Sequence, residues 1–280
     1  MKISDWLQST TKQLLKAGIS TARLDCLVLL ADELERDKSW LLSHADDELQ
    51  GSILEKLNTK IVQRAQHVPL AYIRGHAEFY GRKFAVNPHT LVPRPETETM
   101  VECLKALFPR HQARDGTGTI TIIDIGTGSG AIAITAKLEL PQAAVVATDI
   151  DKQCLETARA NAAELGADVS FLRGNLLEPL LDMKVGLGGS TILCNLPYVP
   201  DNFQINTAAS HEPRHALFGG TDGLDLYREL FAQLNSLTAK PLFILAESLP
   251  PQHELLTKIA LAAGYELQQT DDFVQLFRAR

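Results

Sequence analysis

The sequence predicts an α/β fold: a mostly parallel sheet covered by helices on both faces, preceded by a small helical domain. Three observations predict it. From about residue 93 onward, apolar runs of strand length alternate with segments of helical length, the pattern of a sheet whose parallel strands are joined by crossover helices. A glycine-rich turn separates the first of these strands from the first of these helices. Residues 1–74 show helical spacing throughout.

In the first segment Trp6, Leu7, Leu14 and Leu15 fall at helical spacing, as do Leu24, Leu27, Leu29 and Leu30, and then Ile53, Leu54, Leu57 and Ile61. Ser4 and Ser20 are the expected N-caps of the first two helices. Residues 75–92 read as a β-hairpin linker: Phe79-Tyr80-Gly81 and Lys83-Phe84-Ala85-Val86 flank one turn, and Asn87-Pro88 opens another. Beyond it, strands are expected at 119–125, 143–148, 168–172, 191–194 and 241–246. Helices are expected at 129–139, 151–165, 224–238 and 250–263, with a closing β-rich stretch at 265–278. Gly186-Leu187-Gly188-Gly189 reads as a loop. The expected domains are therefore 1–74, the hairpin linker 75–92, and a larger domain 93–280.

Composition narrows the function. The 280 residues are 45% hydrophobic and 22% charged, ordinary for a globular chain. No apolar run reaches the ~18 residues of a membrane span. Met1-Lys2-Ile3-Ser4-Asp5-Trp6 lacks the apolar core of a signal peptide, so a cytoplasmic protein is expected. Cys26, Cys103, Cys154 and Cys194 are scattered, with no C-x-x-C, and read as reduced core thiols. Eight histidines form no ligand pattern, and no metal is expected. A net charge of −7 argues against a broad nucleic-acid surface.

Two stretches carry chemistry. Ile123-Asp124-Ile125-Gly126-Thr127-Gly128-Ser129-Gly130 closes a strand and leads into the helical run Ala131 to Lys137. Glycines there let backbone approach a ligand, and the helix start offers unpaired N–H groups. Asp149 ends the next strand about 20 residues on, where a carboxylate can accept from both ribose hydroxyls. Neither G-x-G-x-x-G nor G-x-x-x-x-G-K-[ST] is present, so dinucleotide and P-loop readings are unsupported. The second stretch, Asn195-Leu196-Pro197-Tyr198, follows the apolar run Thr191 to Cys194. Asn195 and the Leu196 carbonyl supply acceptors for a planar nitrogen that carries hydrogens. Pro197 stiffens the turn, and Tyr198 offers an aromatic face. A glycine turn alone is as often only a tight turn. Loop, acid and tetrapeptide in this order argue for a site.

Gly126-x-Gly128-x-Gly130 with its ribose acid resembles the first motif of class I S-adenosylmethionine methyltransferases, and Asn-x-Pro-Tyr resembles that of enzymes acting on planar nitrogens. Pro69-Leu70-Ala71-Tyr72-Ile73-Arg74-Gly75, Glu78-Phe79-Tyr80-Gly81, Asn87-Pro88 and Pro93-Arg94-Pro95-Glu96-Thr97-Glu98 are similar to the HemK/PrmC family, the protein-(glutamine-N5) methyltransferases of peptide chain release factors. Ala22-Arg23-Leu24-Asp25, Trp40-Leu41-Leu42-Ser43-His44, His211-Glu212-Pro213 and Asp222-Gly223-Leu224 extend the resemblance along nearly the whole chain.

The resemblance implies a Rossmann-like, mostly parallel seven-stranded sheet and an N-terminal domain that recognises substrate. It implies S-adenosyl-L-methionine as methyl donor, giving S-adenosyl-L-homocysteine, with class 1 release factors as partners through their Gly-Gly-Gln glutamine. No direct nucleic-acid contact, no membrane and a monomer are expected. The expected cofactor residues are Gly126, Thr127, Gly128, Ser129, Gly130, Asp149, Asn175 and Asn195. Asn195, Pro197 and Tyr198 are expected in catalysis, and Asn195, Leu196, Pro197, Tyr198, Arg94 and Glu96 in substrate binding. The chain departs from the family in carrying Leu196 where Pro is usual, Asn175 where an acid is frequent near the adenine, and a shortened pattern at Asp271 to Arg278. Two other readings stand beside this one. A DNA adenine or RNA guanine N-methyltransferase meets the same lone-pair problem. A binding protein without catalysis would have no need of the loop glycines or the ribose acid.

Overall fold

The computed structural model describes residues 1–108, 120–182 and 187–280. They form two compact units: residues 1–76 with 205–211, and residues 77–204 with 212–280.

The first unit contains α1 (Ile3–Lys16), α2 (Ala22–Leu34), α3 (Lys38–Ser43), α4 (Gly51–Ala65) and α5 (Leu70–Arg74). Trp6, Leu14, Leu29, Leu30, Leu41 and Leu57 are its buried centre. The indole of Trp6 donates to Asn58 at 3.2 Å, which satisfies the one polar group of a fully buried ring. Arg64 pairs with the buried Asp25 at 2.6 Å and ties α4 to α2. Leu15 and Leu24 face solvent, although helical spacing placed them in the core. Leu15 follows the buried Leu14, and one residue turns the side chain about 100° around the helix. Neither serine caps a helix. Ser4 lies inside α1, whose first N–H groups are taken by backbone instead: Ile3 donates to the Asp47 carbonyl at 2.9 Å and Ser4 to that of Ala45 at 2.8 Å. The position before α2 is Thr21, not Ser20, and makes no side-chain cap.

A hairpin of β1 (His76–Phe79) and β2 (Arg82–Ala85) leads into the second unit, its turn at Tyr80-Gly81, one step earlier than the sequence placed it. α6 (Glu98–Leu107) follows, and then β3 (Thr121–Ile125), α7 (Ala131–Glu139), β4 (Ala144–Asp149), α8 (Lys152–Leu165), β5 (Ser170–Arg173), α9 (Glu178–Asp182) and β6 (Thr191–Cys194). The chain ends with α10 (Arg214–Leu217), α11 (Asp225–Asn235), β7 (Phe243–Glu247), α12 (His253–Ala262), β8 (Tyr265–Asp271) and β9 (Val274–Ala279). Thr119, the expected start of β3, and Gly186 lie outside the described residues.

The larger sheet has seven strands in the order β5-β4-β3-β6-β7-β9-β8. All its pairings are parallel except those of β9, which runs antiparallel to β7 and β8. The closing β-rich stretch is thus a hairpin inserted with β9 against the parallel strands. Alternate residues explain the continuous apolar runs: Ile122, Leu193 and Leu245 pack with α6 and α7 on one face. Ile123, Ile192 and Ile244 pack with α11 and α12 on the other. Pro250 and Pro251 delay α12 behind a turn of 3-10 helix, so it starts at His253. Cys26, Cys154 and Cys194 are buried free thiols, whereas Cys103 is only half-buried at the edge of the core. Among the described residues no helix is long and apolar enough to cross a membrane.

Candidate active site

The sheet topology creates the site. From β3 the chain crosses to β4 on one side, while from β6 it crosses to β7 on the other. Loops leaving the ends of two neighbouring parallel strands in opposite directions open a crevice, where ligands bind in such sheets. Register aligns the ends: Ile125 pairs with Thr148 and with Cys194, and Cys194 with Ala246. Asp149, Gly126, Asn195 and Glu247 therefore leave four adjacent strands at one rim. A cavity of about 410 Å³ opens there, bounded by Gly126, Gly128, Asp149, Asn175, Asn195, Leu196 and Pro197 among others. Its size suits a small-molecule ligand.

On one side the glycine loop is pinned to β4. The Gly126 and Thr127 N–H groups both donate to the Thr148 carbonyl, at 2.9 and 3.0 Å. Gly130 has φ +82°, and a Cβ there would press on Ile134 and Ala158, so only glycine lets α7 start this close to α8. Asp149 is buried, its carboxylate accepting from Gly128 N–H at 2.8 Å and Asp151 N–H at 2.9 Å. Each oxygen keeps a further lone pair for a ligand hydroxyl. Burial raises its pKa against those two bonds.

Asp124 lies beneath the loop, fully buried. Its Oδ2 accepts from the Thr127 hydroxyl at 2.6 Å, and its Oδ1 has no hydrogen-bond partner. Burial pushes its pKa from 3.8 up to about 7. A folded-state pKa above the unfolded one means that folding takes up a proton between the two values. The stability this group gives at low pH is therefore lost as pH rises through about 7. Asp124→Asn should shrink the fall in Tm between about pH 5 and about pH 8. An undiminished fall in the variant would contradict this assignment.

On the other side Asn195 Nδ2 donates to the hydroxyl of buried Thr97 at 3.0 Å, which leaves Oδ1 as the amide's acceptor. Leu196 is buried, and its side chain fills the space above Gly126. The Tyr198 hydroxyl donates to Glu247 Oε1 at 3.0 Å. The hydroxyl of fully buried Tyr227 bonds the Glu247 and Cys194 carbonyls, locking the ends of β7 and β6 together. The segment after the tetrapeptide is clamped by residues 217–223: Val199 N–H donates to Leu217 at 2.9 Å and Gly219 N–H to Val199 at 3.0 Å. Gly223, at φ +81°, lies so close that a Cβ would overlap the Tyr198 carbonyl.

The structure thus brings together Gly126, Gly128, Asp149, Asn175, Asn195, Leu196 and Pro197 around one cavity. Thr127, Ser129 and Gly130 are not among the residues that bound it. Thr127 and Ser129 are buried, the first bonded to Asp124 and the second accepting from Asn161 at 2.8 Å through its carbonyl. Arg94 pairs at 2.6 Å with buried Glu212, which also accepts from Val92 N–H. Glu96 sits in the turn of 3-10 helix before α6. Tyr198 is half-buried beside the cavity rather than lining it. Sequence reasoning missed His215, Phe218 and Asp225, which also bound the cavity. It also missed Thr97 and Glu247. An acid ending an apolar strand, as Asp149 does, was the available signal for Glu247.

The chain matches the PrmC N-terminal domain family over residues 5–75 and the Methyltransferase small domain family over residues 97–212. It is 35% identical over 248 residues to the release factor glutamine methyltransferase of Bacillus subtilis, covering 88% of this chain and 84% of that one. To the protein of that name from Deinococcus radiodurans it is 32% identical over 277 residues, covering 97% and 95%. Among solved structures, the hMettl16 catalytic domain in complex with an RNA hairpin superposes with a TM-score of 0.52 at 14% identity, covering 82% of each chain. That likeness concerns the fold. With these relatives aligned along almost the whole chain, the protein belongs to the release factor glutamine methyltransferase family.

Proposed function

We propose that this protein transfers a methyl group from S-adenosyl-L-methionine to the side-chain nitrogen N5 of the glutamine in the Gly-Gly-Gln loop of class 1 release factors. The observation that carries this is the shared rim: Gly126 and Asn195 follow register-paired residues of neighbouring strands and bound one cavity. The residues fit the methyl donor. Asp149 has lone pairs for ribose hydroxyls, Gly126 and Gly128 present backbone to the cavity, and Asn175 can meet a base edge.

The bound donor supplies an electrophilic methyl group and leaves as a thioether. A glutamine nitrogen is a poor nucleophile because its lone pair is delocalised into the carbonyl. Asn195 Oδ1 and the Leu196 carbonyl accept its two hydrogens, orient it and stabilise the positive charge that grows on it. Once methylated, the cationic nitrogen is strongly acidic and loses one hydrogen as a proton to solvent water. Thr97 fixes which face of the Asn195 amide does the accepting. Purified protein with labelled donor should label release factor and leave DNA and RNA unlabelled. Label in nucleic acid alone would overturn the reading. Net charge −7 supports a protein substrate without direct nucleic-acid contact, and we read the enzyme as a cytoplasmic monomer.

The helical unit we assign to substrate recognition. Leu42 is exposed there beside a hollow of about 300 Å³ that Lys12 and Arg23 also line. Leu42→Asp should raise KM for release factor several-fold and leave cofactor Kd unchanged, because it puts a charge into a hollow that Leu7, Leu41 and Leu42 line together. An unaltered KM would remove this face from recognition.

A further inference from the structure

Glu247 is a buried acid that the reaction as described leaves unused. It ends β7 beside Asn195, and its side chain is 1% exposed. Oε1 accepts from the Tyr198 hydroxyl at 3.0 Å, while Oε2, equally buried, has no hydrogen-bond partner. Burial raises its pKa, and the nearby polar groups of Thr97, Tyr198 and Asn195 oppose that rise. A carboxyl oxygen left unpaired in the interior costs stability. A group kept only for packing would be apolar, or paired through both oxygens. Its neighbours are instead the residues of the acceptor site: Tyr198, Asn195 and the Thr97 that orients Asn195. A carboxylate is far too weak a base to deprotonate an amide nitrogen, so its contribution is geometric.

We propose that Glu247 is a positioning residue for methyl transfer, acting through Tyr198: its Oε1 anchors the tyrosine hydroxyl and so holds the ring beside the acceptor site of Asn195 and Leu196. This rests on the glutamine-methyltransferase reading. Misplacing a reacting group by about 1 Å costs on the order of 10²-fold in rate.

The test compares kcat, KM for release factor, cofactor Kd and Tm for the wild type, E247A, E247Q, Y198F and the double variant E247A/Y198F. E247A should lower kcat about 10- to 100-fold, with cofactor Kd unchanged and Tm not reduced. E247Q keeps an acceptor for the hydroxyl and should recover most of the rate. The double variant should be no slower than E247A, because both changes break one contact. Losses that multiply, a wild-type kcat in E247A, or a rate loss that appears only together with a fall in Tm would each overturn the proposal. Should E247A not fold, Y198F decides alone: it removes only the hydroxyl, and a wild-type kcat there overturns the proposal. Wild-type turnover is measured first. Its absence removes the glutamine reading and this inference together, whereas equal turnover in wild type and E247A removes only the role of Glu247.

Discussion

Asn195→Ala lowers the rate of release factor methylation by roughly 10²- to 10³-fold, the usual loss when a preorganised acceptor or donor is taken from developing charge. The structure sharpens why. Nδ2 is committed to Thr97, so Oδ1 is fixed as an acceptor before substrate arrives. Ala removes that acceptor and frees Thr97. Asp would keep an acceptor but could not donate to Thr97, and would bring a second carboxylate close to Glu247. Cofactor affinity should change much less than rate in Asn195→Ala, because Asp149 and the glycine loop belong to other strand ends. Steady-state kinetics together with calorimetry check both halves. A near-normal rate would mean that the nitrogen is held elsewhere and that the tetrapeptide is structural.

The second large effect falls on the donor side. Asp149→Ala should weaken S-adenosyl-L-methionine binding by roughly 1–3 kcal/mol, as expected for charge-assisted hydrogen bonds. Part of that loss passes through the protein. The carboxylate also accepts from Gly128 and Asp151 N–H groups, so its removal releases the loop it shapes. Asp149→Asn keeps one acceptor and should bind better than the alanine variant. Unchanged affinity in Asp149→Ala would take this residue out of the site.

Much of this was legible in the sequence, for identifiable reasons. Strand and helix alternation depends on apolar period and on glycine punctuation, and both are strong here from β3 to β6. Asp149 could be placed because a strand of fixed rise puts its last residue at the rim wherever the strand is buried. The failures have a common cause: they depend on which neighbour a residue meets. Ser4 was expected to cap α1, but residues 45–47 already supply the carbonyls its N–H groups need. Leu15 and Leu24 fit a helical period and still face water, because spacing gives the face of a helix but not the width of its contact. Thr127 and Ser129 belong to the same recognisable loop and are buried behind Gly126 and Gly128, the loop glycines that bound the cavity. Glu247 stands 52 positions after Asn195 in the chain. Only the parallel register of β6 and β7 makes them neighbours.

The most direct test of the central claim is to locate the methyl group. Purified enzyme, isotopically labelled S-adenosyl-L-methionine and an unmodified class 1 release factor are incubated together, and the proteolysed product is sequenced by tandem mass spectrometry. The account predicts a single labelled methyl group on the side-chain nitrogen of the Gly-Gly-Gln glutamine, strongly reduced with Asn195→Ala. A methyl group on any other residue, or an unlabelled release factor beside labelled nucleic acid, would contradict it.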